Sequence, residues 1–401
     1  MSIKRRLKKM KNDTDKQKNK KVDVEVYRFE GKPTKEQEEQ LIKTCNCCRF
    51  LWNRMLKDRT DFQKIMGEPL FCTPADYKDI EGLEFLKEVD CLALCNVQMN
   101  LSKAFVKFYN GETGYPKYKK AGKRKKSYTT NNNNNNIKLQ GDMLKLPRIE
   151  IPIKLNLHRE VKPNGKLKNV TITQEPDDKW YFSILFEYPI KDSEHTKASG
   201  YPVVSKEMNH IGLDMSPSFL YMDSNGKRAD FEKPYKKIEN QMSIERYKLS
   251  RMKKNSKHYE EQCRVISKLY VKSKRQRMDM LHKISFQLTK EYDLISIEDL
   301  NIPDLKRKSF LSKEYNDIGW GRFVKMLEYK GKRNGCYIVK VDKWFPSSKT
   351  CSVCGHVHRG LKLSDRTFIC PKCGNTMNRD HQAAINIDKE GLRILLERFA
   401  A

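Results

Sequence analysis

The first regular pattern along the chain runs from Val22 to Phe29, where Val22, Val24 and Val26 alternate with Asp23 and Glu25 ahead of Tyr27-Arg28-Phe29. A period of two predicts a strand with one buried face. Thr34 followed by Gln37 has the spacing of a capping box, so a helix is expected to start there and to run through Leu41, Cys45, Cys48 and Trp52 at three-to-four spacing. A second helical pattern fills residues 75–110, with Leu94, Val97, Leu101, Phe105 and Phe108 on one face. From 137 to 189, short apolar runs alternate with turn signals at Asn164-Gly165 and Pro176-Asp177-Asp178 and end in the run Trp180 to Phe186. These read as antiparallel strands completing the sheet begun at Val22, which makes the helices an insertion within a β domain.

Residues 190–208 are polar and read as a linker. Beyond them, Ile211-Gly212-Leu213-Asp214 and Phe219-Leu220-Tyr221-Met222, the latter closed by Ser224-Asn225-Gly226, predict a hairpin with Asp214 at the end of its inner strand. Residues 236–292 predict one long basic helical region. Val265 or Ile266 with Leu269, Leu281, Ile284 and Leu288 form its apolar stripe, and Lys272, Lys274, Arg275 and Arg277 lie opposite. Leu294 to Glu298 is a buried strand ending in an acid, Tyr337 to Val341 is another strand, and a last helix covers about Asp380 to Phe399. Strands alternating with helices after residue 209 indicate an α/β domain.

Charge adds a partner to this outline. The 401 residues carry 81 Lys plus Arg against 51 Asp plus Glu, a net charge of +30 spread along the chain, which points to a polyanion such as nucleic acid. Residues 1–21 hold ten of these cations and few large apolar side chains, the composition of a disordered basic arm. Between the two β regions, Lys117, Tyr118, Lys119, Lys120, Lys123, Arg124, Lys125, Lys126 and Tyr128 interleave rings with cations, a pattern that can stack on bases and pair with phosphates. The face with Lys272, Lys274, Arg275 and Arg277 is the other candidate contact. The run Asn131 to Asn136 is low complexity and carries no assigned chemistry. No window approaches the ~20 apolar residues that span a bilayer, so a membrane role is not expected. Eight of the twelve cysteines lack framework spacing and read as reduced thiols, the usage of a cytoplasmic protein.

The other four are Cys351, Cys354, Cys370 and Cys373, two Cys-x-x-Cys pairs separated by fifteen residues, with Gly355 and Gly374 directly after each pair. That arrangement predicts one structural Zn2+, because four thiolates close a tetrahedral shell and leave no open position. His356 and His358 are taken as surface residues. Asp214, Glu298 and Asp380 form a second candidate set, two at strand ends and one at a helix start. Hard oxygen ligands suit Mg2+, and two such ions ~4 Å apart can activate water and stabilise a leaving oxygen. Singly, each acid has another reading: a turn acceptor, a surface residue and a helix cap, respectively.

Joined, these motifs resemble the TnpB proteins of bacterial insertion sequences and their relatives, the compact type V CRISPR effectors. The resemblance is carried by Tyr27-Arg28-Phe29, by Pro33 to Gln37, by Cys48 to Asn53 and by Tyr115 to Lys119 with Ser127 to Thr130. It is also carried by Gly212-Leu213-Asp214, by Ile297 to Asn301 and by Asn378 to Ile387, with the four cysteines between the last two. It implies a β-barrel-like wedge domain (22–33 and 111–190) with an inserted helical recognition module (34–110), joined by a linker (191–208) to a ribonuclease-H-like RuvC nuclease domain. That domain would comprise 209–346 and 376–401, with an inserted zinc ribbon that binds target nucleic acid at 347–375, so the whole is a multidomain α+β and α/β fold. The implied activity is guide-RNA-directed cleavage of double-stranded DNA beside a short flanking motif. Asp214, Glu298 and Asp380 would then be the catalytic acids of a monomer or homodimer on one RNA, in the bacterial cytoplasm at the nucleoid. Where many members have a Gly-containing turn after the first acid, this chain has Met215-Ser216-Pro217-Ser218. The rivals are a DNA-joining transposase, whose acids run Asp, Asp, Glu whereas these run Asp, Glu, Asp, and a guided repressor or accessory transposition protein that does not cut.

Overall fold

The computed structural model describes residues 22–120, 126–189, 200–308, 311–362 and 365–400. The basic arm at 1–21, Lys123, Arg124 and Lys125, and the first part of the linker lie outside these residues. The chain divides between residues 190 and 191 into two compact units.

In the first unit, β1 (Val22–Gly31) pairs antiparallel along its whole length with β7 (Trp180–Pro189). The remaining strands are β2 (Lys126–Asn131), β3 (Lys138–Gln140), β4 (Met143–Lys145), β5 (Ile153–Asn156) and β6 (Lys166–Gln174). The sheet order is β2-β6-β7-β1-β5-β4-β3, antiparallel throughout. Among the described residues no ladder joins β2 to β3, so the sheet is curled and open instead of a closed barrel. Its buried face on β1 carries Tyr27 and Phe29, while Val24 and Val26 face solvent. The larger aromatic rings bury more apolar area than the valines and decide which face turns inward.

Between β1 and β2 lie α1 (Lys35–Met66), α2 (Pro74–Lys78), a 3-10 turn and α3 (Cys91–Tyr109). The capping box at α1 is present: Gln37 N–H donates to Thr34 Oγ1 at 3.3 Å and Thr34 N–H to Gln37 Oε1 at 3.0 Å. Leu41, Cys45, Cys48 and Trp52 join Phe29, Tyr128 and Phe182 in one core, so helices and sheet fold as a single body. The asparagine run makes a turn after β2. Asn134 and Asn135 adopt left-handed φ values of 53° and 57°, which Asn tolerates better than most residues, and Ile137 N–H donates to Asn132 Oδ1.

The second unit is built on a four-stranded sheet of order β11-β10-β8-β9. Here β8 (His210–Ser216) and β10 (Leu294–Glu298) are parallel, β11 (Tyr337–Val341) continues parallel beyond β10, and β9 (Leu220–Asp223) returns antiparallel to β8. The hairpin forms without the glycine turn, with Leu220 fully buried at φ 76°. The basic region expected to be one helix is two, α4 (Pro234–Ser250) and α5 (Lys257–Glu291). The break falls where Asn255 takes a left-handed φ and Ser256 caps α5 by accepting from Tyr259 N–H. Ile266, not Val265, faces inward. Two short helices, α6 (Ile302–Lys308) and α7 (Ser312–Ile318), lead to α8 (Trp320–Asn334), which packs with α5 around Trp320, Phe323, Leu281 and Leu288. Last come a small hairpin, β12 (Thr367–Ile369) and β13 (Thr376–Asn378), and α9 (Arg379–Ala400).

Helix α9 lies directly on the sheet, and the sequence permits this through two glycines. A Cβ on Gly212 of β8 would sit 2.3 Å from the Ala384 carbonyl oxygen, and one on Gly391 would sit 1.9 Å from Ser296 Oγ on β10. Ala383 and Ala384 complete the contact. This close approach brings the first turn of α9 to the end of the sheet where the parallel strands finish.

Candidate acid site, metal centre and nucleic-acid interface

Each acid is placed by a different element. Asp214 lies within β8, opposite Met222 of β9, and the strand continues to Ser216; it is neither at the strand end nor a turn acceptor. Glu298 ends β10 and accepts a 2.6 Å hydrogen bond from Ser347 Oγ. Asp380 sits in the first turn of α9, where Asn378 Oδ1 accepts from the N–H groups of Asp380 at 2.9 Å and His381 at 3.1 Å. Asn378 therefore caps the helix and leaves the Asp380 carboxylate uncommitted.

The acids sense one another. Burial, and then the negative charges of Glu298 and Asp380, push the Asp214 carboxyl well above the ordinary range, with Arg379 pulling partly back. Burial also raises Glu298, against the hydroxyl of Ser347. Arg379 is held by the carbonyls of Lys362 and Asp365 and by Ser348 Oγ, so a cation from the helix start is fixed between the acids and the cysteine-bearing segment.

The four cysteines form a compact set. Among the described residues they are the one group of three or more His, Cys, Asp or Glu side chains whose ligand atoms all lie within 4.8 Å of one another. Cys351 Sγ is 3.7 Å from Cys373 Sγ, and Cys354 Sγ is 3.6 Å from Cys370 Sγ. A sulfur tetrahedron with ~2.3 Å arms has edges of about 3.8 Å. The knuckles match: Gly355 and Gly374 have φ of 73° and 74°, and each donates its N–H to the carbonyl of the first cysteine of its pair. Burial raises the Cys351 thiol, but the N–H groups of Cys354 and Val353 and the neighbouring sulfurs outweigh it and bring it down to about 6. This quartet can hold a structural metal ion. His358 departs from the surface placement: its ring meets Phe368 edge-on in the core beside the quartet.

The segment leading into Cys351 is not isolated from the acids. Gln382 Nε2 donates to the Thr350 carbonyl at 2.5 Å, and Asn386 Nδ2 donates to the carbonyls of Ser347 and Thr350 at 2.7 and 2.6 Å. Gln382 and Asn386, one turn apart on α9, thus clamp the strap 347–351 that carries both Ser347 and the first cysteine. Sequence reasoning missed these three positioning residues. The four-residue spacing of two amides beside Asp380 is the signal that could have found them.

The expected nucleic-acid contacts divide. Lys117, Tyr118, Lys119 and Lys120 are exposed, and the segment is pinned to α1: Trp52 Nε1 donates to the Lys117 carbonyl, and Asn53 bonds both the N–H and the carbonyl of Lys119. Tyr118 and Lys119 line a cleft of about 410 Å³ with Arg49, Phe50, Asn53, Arg54 and Lys57. The cations of α1 in it, Arg49, Arg54 and Lys57, were missed, although Arg49, Asn53 and Lys57 repeat at helical spacing. Lys126 is half-buried at the start of β2. Tyr128 departs from expectation: it is buried in the core and offers no face to a base. Lys272 is exposed, and Lys274 and Arg275 are partly so. Arg277 also departs, since its guanidinium bonds the Asp317 carboxylate and the Asn316 carbonyl and holds α5 to α7.

Three family models match in order along the chain: "Helix-turn-helix domain" of the OrfB_IS605 type over 25–64, "Probable transposase" OrfB_IS605 over 186–309, and "Cas12f1-like, TNB domain" over 320–387. The last spans the cysteine quartet, and the first covers a strand and one long helix here. The chain is 28% identical over 372 residues to a "Putative RNA-guided DNA endonuclease" of Streptomyces pristinaespiralis, covering 92% of this chain and 89% of that protein. It is 25% identical over 392 residues to "Putative RNA-guided DNA endonuclease InsQ" of Escherichia coli (strain K12), covering 93% of each. Among solved structures, the "Cryo-EM structure of the Cas12f1-sgRNA-target DNA complex" superposes with a TM-score of 0.53 at 15% identity, over 88% of this chain and 82% of that one, which shows a shared fold. The ordered domains, the relatives and the fold agree with the motifs: the chain carries OrfB_IS605 and Cas12f1-like TNB domains and is similar along most of its length to proteins named putative RNA-guided DNA endonucleases, as the resemblance to the TnpB proteins implies.

Proposed function

We propose that the chain is an RNA-guided DNA endonuclease whose cutting site is formed by Asp214, Glu298 and Asp380. One arrangement carries the reading: α9 packs on β8 so closely that a Cβ on Gly212, two residues before Asp214, would meet the helix backbone, and this sets the first turn of α9 with Asp380 against the strands that carry Asp214 and Glu298, whose mutual charge together with burial raises the Asp214 carboxyl. Acids brought together at such a cost suit a site awaiting positive charge. Mg2+, which keeps several waters and takes few carboxylates directly, suits such a set. Two such ions, when bound, would supply Lewis acidity and a water of lowered pKa for hydrolysis of a phosphodiester.

The chain's own residues have separable tasks in this mechanism. Ser347 aims the Glu298 carboxylate, Asn378 frees Asp380 by capping α9, and Arg379 offsets the excess negative charge. The strand order of the second unit, an antiparallel pair continued by two parallel strands with α9 against it, supports a RuvC assignment for 209–346 and 376–401. The quartet at 347–375 would be its zinc ribbon, and 22–33 with 111–190 would be the wedge around the inserted helices. The relatives' names support a guide RNA and DNA as partners. The cleft with Arg49, Tyr118 and Lys119 offers cations and a ring for holding a phosphate backbone.

The test is to purify the chain with its copurifying RNA, sequence that RNA, and supply Mg2+ and DNA matching it. Cleavage that disappears in Asp214→Ala while DNA binding persists is the expected result. Cleavage unchanged by that substitution would remove the site assignment, and recovery of no discrete RNA would remove the guided reading.

A further inference from the structure

Of the four tryptophans, Trp52, Trp180 and Trp320 are at most 9% exposed, whereas Trp344 is 81% exposed. Its position is tied to Glu298 from both sides. Val341, three residues earlier, is the register partner of Glu298 on β11, and Asp299 N–H donates to the Val341 carbonyl. Ser347, three residues later, bonds the Glu298 carboxylate. Three residues span at most about 11 Å, so the turn that carries Trp344 leaves Glu298 and comes back to it, which keeps the Trp344 backbone within about that distance of both attachment points. The turn is fixed in advance: Trp344 N–H donates to Asp342 Oδ1 at 2.7 Å and Phe345 N–H to the Asp342 carbonyl at 3.0 Å. Lys343 Nζ lies 5.2 Å from the centre of the ring.

Asp342 and Lys343 are exposed beside the indole, so the ring stands in solvent next to a cation. An exposed ring beside an ammonium group is the pair that single-stranded nucleic acid uses, base on ring and phosphate on cation. We propose that Trp344 is a stacking platform that holds an unpaired base of the DNA strand beside the acids, with Lys343 on an adjoining phosphate. This rests on the nuclease reading for its role but not for its detection.

The probe is a single-stranded oligothymidylate added to the full chain carrying Asp214→Ala, which leaves the strand uncut. Trp344 being the exposed indole, its emission should fall along the same curve as binding measured by the anisotropy of a labelled strand. Adding Trp344→Phe should abolish the quench and keep the affinity; adding Trp344→Ala should weaken binding roughly tenfold. A strand that binds without changing the emission, or a quench that survives Trp344→Phe, overturns the proposal and leaves the indole to another class of partner. In the active chain with its RNA and Mg2+, Trp344→Ala should slow cutting by roughly tenfold and Trp344→Phe should restore most of it; equal rates in all three also overturn it. If the unsubstituted chain cuts nothing, the nuclease reading fails, while the emission alone still decides whether the ring stacks.

Discussion

Ser347 Oγ donates a 2.6 Å hydrogen bond to Glu298 Oε1 and so joins the strap that carries Cys351 to the second acid of the proposed site. A hydroxyl that donates to an ionised carboxylate is worth about 1.5–3 kcal/mol. Ser347→Ala should therefore slow DNA cutting by roughly tenfold or more, by the usual conversion of 1.4 kcal/mol per factor of ten. Ser347→Thr, which keeps the hydroxyl, should retain most of the rate. Single-turnover cleavage of a matched target checks this, and equal rates for Ala and wild type would make the bond incidental.

The same strap predicts that the metal quartet and the acids are coupled. Gln382 and Asn386 grip the carbonyls of Ser347 and Thr350, and Cys351 follows at once. The purified chain should contain one zinc, measured by atomic emission, and Cys370→Ser should lose it. Cleavage should fall with zinc content even at saturating Mg2+, because the strap that aims Glu298 loosens with the knuckle. A zinc-free chain that cuts at full rate would separate the two sites.

Asp214 offers a stability test free of any DNA. Its folded carboxyl is held well above the ordinary value, so the folded chain resists losing that proton and stability falls as pH rises from about 4 towards the shifted value. In chelator at neutral pH, Asp214→Asn should melt higher than wild type, by roughly 2–4 °C for each kcal/mol recovered. The gap should narrow as the pH is lowered towards 4, while DNA cutting is lost at every pH. A variant that melts lower at neutral pH would mean the acid is not strained in the metal-free state.

How much of this was legible in the sequence depended on how local the cause was. The cysteine quartet follows from spacing within each knuckle, and the Thr34 cap from residues three apart. The acids needed motif order, since nothing near Asp214 in the chain announces Asp380. Tyr128 and Arg277 were misread because their partners are distant. Tyr128 meets the core formed by α1, and Arg277 meets Asp317 forty residues on. The break between α4 and α5 was written in Asn255-Ser256, a left-handed position followed by a cap, but the basic, continuous periodicity on either side concealed it. The inward face of β1 went to Tyr27 and Phe29 against a more regular row of valines, a choice set by what packs above the sheet.

Gly212 tests the close approach that assembles the acids. A Cβ there meets the backbone of α9, the Ala384 carbonyl oxygen at 2.3 Å and the Asp388 nitrogen at 2.5 Å, and neither can rotate away. Gly212→Ala should cost about 1–3 kcal/mol in stability, as overpacking does. It should lower cutting by more than the melting change alone would, because the pushed helix carries Asp380 in its first turn. Thermal melts and cleavage rates measured together check this; a variant that melts and cuts like wild type would show that α9 has room to shift.

Lys330 lies on α8 facing α5, buried to 8% exposure, with its ammonium donating to the His282 carbonyl at 2.5 Å and to Ser285 Oγ at 2.8 Å. Burial lowers its pKa from 10.5 to about 8. A base whose folded value is depressed destabilises the fold in its charged form, so wild-type stability is lowest below about 8 and rises as the pH climbs towards 10.5. Lys330→Met fills similar space without the charge, and Ser285 keeps its bond to the Leu281 carbonyl. The variant should be more stable than wild type at pH 7 by about 1–2 kcal/mol, and the difference should close by pH 10. Denaturant melts at pH 7, 8.5 and 10 decide it. A gap that stays constant with pH would assign the effect to packing, because only the ionisation of Lys330 can make the two curves converge over that range.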